Sequence, residues 1–174
     1  MPNWCLNELT VSADDEKEIE AFLEFTTGKT EEGEPAYMDF NKIKPMPDEI
    51  RNTTSPCNSR EWALDAWREK DWFEALTSEE KEERLAGYPP QAEIDAMIEK
   101  HGASNWYDWS TANWGVKWPA SSVQAEISSM EVQFEFDTPW GPPENIFEII
   151  SEKFPDLYID WHYREPNMRL SGYL

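Results

Sequence analysis

The stretch "NWYDWSTANWGVKW", Asn105 to Trp118, holds four tryptophans in a chain that carries ten. Indole faces stack on bases and sugars, so Trp106, Trp109, Trp114 and Trp118 make a candidate aromatic platform, with Lys100 and Lys117 as the local bases a single-stranded nucleic acid would need. Indoles also bury large apolar areas while demanding a partner for the ring N–H, which suits junctions between elements. The set is therefore read first as cement between a helical segment and a sheet, with stacking as the alternative. Trp62, Trp67 and Trp72 lie five residues apart, about 140° per helical step, and cannot share one stripe. Trp106 and Trp109 do share a helical face, and Gly115 reads as the stop after them.

Acid–base signatures are thin. His101 sits on an apolar stripe at a helix end, where a satisfied or capping histidine is the simpler reading. His162 with Glu165 has neither the i, i+4 spacing nor the second histidine of a metal site. No phosphate-binding glycine loop, dinucleotide fingerprint or GxSxG elbow occurs. Asp108 between Trp106 and Trp109 has the look of a glycosidase acid over an aromatic subsite, but a second carboxylate cannot be assigned. A small hydrolase with an Asp or Glu pair is thus a third reading. The first expectation is a protein that is not an enzyme, with no catalytic residues, metal or cofactor.

Charge says more. A formal net charge of −21 repels phosphate backbones and anionic lipid head groups, so free double-stranded nucleic acid and membranes are poor partners and a basic protein is a good one. No run approaches the roughly 18 apolar residues of a membrane span. The opening "MPNWCLNELTVS" lacks the basic start and apolar run of a secretory signal. Cys5 and Cys57 form no CxxC pair and read as reduced, buried thiols of a cytosolic protein, where the sequon at Asn52 has no meaning.

These groups must be held by a scaffold. Residues 3–11 alternate as a strand, and a helix follows with Ser12 as N-cap and Ile19, Phe22, Leu23 and Thr26 on one face, ending at Gly28 before a polar loop. Val123, Ala125 and Ile127, then Val132, Phe134 and Phe136, mark two half-buried strands joined at Ser128-Ser129. Pro142 and Pro143 open a helix bearing Ile146, Phe147, Ile150 and Phe154, and a last strand alternates Leu157, Ile159, Trp161 and Tyr163 against Tyr158, Asp160 and His162. The order βαββαβ predicts an α+β fold: the ferredoxin-like split βαβ, an antiparallel sheet with two helices on one face.

About eighty residues interrupt that pattern. Residues 1–35 give its first strand and helix, 36–120 a Trp-rich and mostly helical insert, and 121–174 the remainder, all in one compact domain. Within the insert, "YMDFNKIKPMP" suggests a short edge strand, Thr77 with Glu80 a capping box, and Pro89-Pro90 a helix carrying Ile94, Met97, Ile98 and His101. Residues 39–118 hold 16 acids and 10 bases, whereas the flanks hold 20 acids and 5 bases, so the acidic field belongs mainly to the sheet. Its open face would present Gln124, Glu126, Glu131, Gln133, Glu135, Asp137, Tyr158, Asp160 and His162. Glu126, Glu131, Glu135 and Asp160 are the first candidates for partner binding.

The pieces "NWCLNELTV", "DFNKIKPMP", "ANWGVKWPA", "DTPWGPP" and "FPDLYIDWHYREPNMRLSGY", in that order, resemble the YubB-like family of phage and conjugative-plasmid proteins with a ferredoxin-like C-terminal domain. The resemblance implies a mobile-element protein in a bacterial cytoplasm, with no iron–sulfur cluster and no catalytic residues to carry over. In that setting an acidic module suggests an anti-defence DNA mimic, whose carboxylates stand in for phosphates on a basic host protein.

Overall fold

A computed structural model describes residues 3–174. In chain order the elements are β1 (Trp4–Ser12), α1 (Glu16–Thr26), β2 (Gly28–Lys29), β3 (Pro35–Ala36), α2 (Phe40–Ile43), α3 (Asp48–Arg51), α4 (Arg60–Trp67), α5 (Asp71–Glu74), α6 (Ser78–Leu85), α7 (Gln91–His101), α8 (Trp106–Trp114), β4 (Ser121–Ile127), β5 (Glu131–Pro139), α9 (Glu144–Lys153), β6 (Tyr158–Glu165) and β7 (Leu170–Tyr173). They form two compact units, residues 46–109 and residues 1–45 with 110–174.

The second of these units is mixed α+β. Its sheet has five antiparallel strands in the order β4-β5-β1-β6-β7, and β2 pairs with β3 in a separate ladder. Strict alternation sends Cys5, Asn7, Leu9 and Val11 of β1 to a buried face shared with Val132, Phe134, Phe136 and Trp161. Leu9 lies opposite Phe134 on one side and Trp161 on the other. Phe22 of α1 meets Phe134 at 6.3 Å, and Phe147 of α9 meets Trp161 edge-on at 5.9 Å, so both helices cover this face. Asn7 is a buried polar group in that core. Its amide donates to the Cys5 carbonyl and the Thr138 hydroxyl while its oxygen accepts the Trp161 indole N–H at 3.2 Å, and a buried amide satisfied this way escapes its desolvation cost.

Several local details depart from the sequence expectations. The N-cap of α1 is Asp15, whose carboxylate accepts the Lys17 N–H, and not Ser12, which still pairs within β1. "YMDFNKIKPMP" forms no edge strand. Asp39 caps the helical turn α2 instead, because Phe40 and Ile43 at i, i+3 reach one buried side, where Phe40 contacts Phe136 at 6.4 Å and Trp114 at 6.1 Å. That burial accompanies the grouping of α2 and residues 110–120 with the sheet, while residues 46–109 form the other unit, where the sequence suggested a segment of 36–120. Strand β6 is not the last one, since β7 adds a free edge beyond it.

The unit 46–109 is helical. The capping box of Thr77 and Glu80 opens α6, and Gly102 at φ 76° closes α7. Ala63, Phe73 and Leu85 form a small core over which Trp67, Leu76 and Tyr88 pack, with the Trp67 ring 5.3 Å from Tyr88 and 5.5 Å from Trp72. On α7 only Ile94 is buried; Ile98 is largely exposed, so the expected stripe is narrower than its spacing suggests.

Cys5 is fully buried, and burial pushes its thiol up to about 11, aided by the nearby Glu165 carboxylate. The folded chain therefore favours the neutral thiol. The stability this contributes is intact below the ordinary thiol value of 9.0 and is lost as pH rises through about 11. Cys5 should resist an aromatic disulfide reagent at pH 8 until denaturant is added, and Cys5→Ala should flatten the alkaline loss of stability between those values.

Candidate functional site

The side of the sheet away from α1 and α9 is built by the other half of each strand's alternation. It carries Trp4, Leu6, Glu8 and Thr10 from β1, Gln124 and Glu126 from β4, and Glu131, Gln133, Glu135 and Asp137 from β5. Strand β6 adds Tyr158, Asp160, His162 and Arg164, and β7 adds Ser171 and Tyr173. All four acids expected to bind a partner are here: Glu126 opposite Gln133, Glu131 opposite Ser12, Glu135 opposite Glu8, and Asp160 opposite Thr10. Glu8, Thr10, Glu126, Gln133 and Glu135 line a trough on this face.

Glu8 and Glu135 are direct cross-strand neighbours. Like charges in that position repel and are destabilising. Part of that is relieved because Glu8 Oε2 lies 2.8 Å from His162 Nδ1. The other ring nitrogen, Nε2, is 3.1 Å from Ser171 Oγ, and the Tyr173 ring stands 5.0 Å from the imidazole. Arg164, opposite Ser171, adds a permanent positive charge to this face. Lys153, by contrast, lies over the Phe25 and Phe154 rings, and Lys117 over Trp118.

The tryptophan platform is not assembled. Trp109 and Trp114 are 4% and 3% exposed, which removes their faces from any ligand. The Trp114 indole N–H donates to the Lys44 carbonyl at 2.9 Å, the partner such a buried ring needs. Trp106 is half-buried with its ring edge-on to Tyr107 at 5.8 Å. Trp118 is 38% exposed, 6.5 Å from Trp4, with the Lys117 ammonium 4.4 Å over its ring. Trp4, which the sequence reading did not single out, brings an indole to the open sheet face.

The remaining candidates have structural partners. His101 Nε2 is 2.7 Å from Glu49, and that hydrogen bond, with Lys100 at 2.8 Å, pulls the Glu49 carboxyl down to about 2 and ties α3 to α7. Asp108 accepts from the Asn105 amide at 2.7 Å, while the Asn105 oxygen takes the N–H groups of Tyr107 and Asp108 at the start of α8. Glu165 is buried and accepts the backbone N–H groups of Asn167 and Met168 in the turn to β7, so it works apart from His162. Among the described residues no group of three His, Cys, Asp or Glu side chains is arranged to hold a metal, and no helix is long and apolar enough to cross a membrane.

Comparison with known proteins adds a fold label. Residues 113–174 match the family model described as the ferredoxin-like domain in Api92-like protein. The chain is similar to "Uncharacterized protein YubB" of Escherichia coli (strain K12), 32% identical over 77 residues that cover 42% of this chain and 52% of that protein. The match thus spans about half the length of that relative. The crystal structure of a protein api92 from Yersinia pseudotuberculosis aligns with 99% of this chain and 93% of its own, at 14% identity and a TM-score of 0.45.

Proposed function

We propose that the open face of the sheet is a docking surface for a basic protein, engaged through Glu126, Glu131, Glu135 and Asp160 together with Glu8 and Asp137. The observation that carries this reading is the placement of six carboxylates on one sheet face, two of them directly opposed across β1 and β5. Such a surface carries repulsion that a cationic partner removes, and the long-range field speeds its encounter. The strand order β4-β5-β1-β6, with α1 and α9 on the far face, supports reading the scaffold as a split βαβ unit in which residues 46–109 are an insertion. In the sharper form of the proposal the chain is an accessory protein of a phage or plasmid in a bacterial cytoplasm. Its carboxylates there take the place of DNA phosphates in a host protein's basic groove. Binding at this face calls for no reaction.

Single-strand binding remains the competing reading, now resting on the exposed Trp4 and Trp118 and on Lys117. Titration of a fluorescent arginine-rich peptide and a fluorescent single-stranded oligonucleotide separates the two. The peptide should bind at low salt and dissociate as salt rises, with the oligonucleotide unbound; binding of the oligonucleotide alone overturns the docking reading.

A further inference from the structure

The chain Glu8–His162–Ser171 has a geometry that a docking surface does not require. Carboxylate oxygen, imidazole Nδ1, imidazole Nε2 and serine Oγ follow one another at 2.8 Å and 3.1 Å across three adjacent strands. In the tautomer with the proton on Nδ1, Glu8 accepts that proton's hydrogen bond and fixes the ring. Nε2 then offers its lone pair to the Ser171 hydroxyl. This is the relation of orienting acid, general base and nucleophile that activates a serine toward carbonyl carbon.

The sheet supplies two further groups. Leu174 N–H donates to the Trp161 carbonyl at 3.0 Å, which marks 161 and 174 as a hydrogen-bonded pair. By the antiparallel alternation, the Arg164 and Ser171 pair is the close, non-hydrogen-bonded kind, with Cα atoms about 4.5 Å apart. Arg164 is thereby set beside the serine on the same face. The Ser171 N–H is turned away from β6 toward the free edge of β7, where it is available to a developing oxyanion.

The geometry points to an esterase-type activity at the β6–β7 edge, with Ser171 as nucleophile, His162 as general base and Glu8 as its positioning residue. The Ser171 hydroxyl proton passes to His162 Nε2 as Oγ bonds to the ester carbonyl carbon. The bond to the leaving alcohol then breaks and the alcohol takes the proton from His162. Water, losing a proton to His162, attacks the acyl group; the Oγ–carbon bond breaks, Ser171 recovers its proton, and the products are a carboxylic acid and an alcohol. The carboxylates of Glu8, Glu135 and Asp160 on this face disfavour anionic substrates, so the ester is neutral or cationic. The inference does not depend on the docking role.

The test is labelling of the full chain with a fluorophosphonate, which bonds an activated serine with loss of fluoride, followed by peptide mapping. Ser171 should carry the label, and His162→Gln should slow labelling by about 100-fold, the usual share of a general base. With p-nitrophenyl acetate, Glu8→Gln should lower kcat and leave KM unchanged, which loss of a merely structural contact would not do. Wild-type protein with Ser171 unlabelled overturns the proposal, whatever the variants do. So does a folded His162→Gln chain that labels at the wild-type rate.

Discussion

Replacing Trp161 by alanine is expected to cost the sheet unit about 3–5 kcal/mol, the range for removing a fully buried large aromatic residue. Its indole is inaccessible to solvent, packs edge-on against Phe136 at 5.7 Å and Phe147 at 5.9 Å, and faces Leu9 across β1. It also donates to Asn7 Oδ1, so the cavity would open beside an amide that has lost a partner. Trp161→Phe separates these contributions: the ring contacts are largely kept and the unpaired Asn7 oxygen costs about 1–3 kcal/mol. Denaturant unfolding followed by circular dichroism measures both. An alanine variant within about 1 kcal/mol of wild type would mean that the core around β1, β5 and β6 is not packed as described.

The second large effect concerns the open face. Converting Glu126, Glu131 and Glu135 to Gln and Asp160 to Asn removes four negative charges from exposed or half-exposed positions. At about 0.2–1 kcal/mol for each exposed ion pair, affinity for an arginine-rich peptide should fall by about 1–4 kcal/mol, or roughly 5-fold to several hundred-fold at low salt. Folding should not suffer, because Glu135 stands opposite Glu8 and its neutralisation relieves a like-charge pair. Peptide affinity within twofold of wild type, in a variant of unchanged thermal stability, removes these four residues from the binding surface.

The sheet was readable because its chemistry is local. Period-two alternation in β1, β5 and β6 named the buried and open sides, and with them the four acids, before any contact was known. The failures follow from interactions distant in sequence. Strand β7 contains Gly172, which reads as a loop residue; yet a Cβ there would lie 2.9 Å from the Tyr163 hydroxyl, so the glycine makes room for a ring on the neighbouring strand. The stretch "YMDFNKIKPMP" suggested a short edge strand ending in prolines, but a single turn is enough to deliver Phe40 and Ile43 to the core. The signal that could have corrected this was Asp39, a good N-cap residue immediately before Phe40. His162 was weighed only against Glu165, three residues on, whereas its partners are Glu8 and Ser171, 154 and 9 positions away. The aromatic cluster misled in the opposite sense: spacing identified a shared helical face for Trp106 and Trp109, but burial, which spacing does not reveal, withdrew Trp109 and Trp114 from any ligand.

The most direct test of the docking account is affinity capture from bacterial lysate with the wild-type chain and the four-residue charge variant side by side, at low and at high salt. Retained proteins are identified by mass spectrometry and nucleic acid is quantified in the same eluate. The account predicts a basic nucleic-acid-binding protein held by the wild type at low salt, released at high salt and missing from the variant, with no nucleic acid of the chain's own. Equal capture by the variant, or nucleic acid retained without a basic protein, would contradict it.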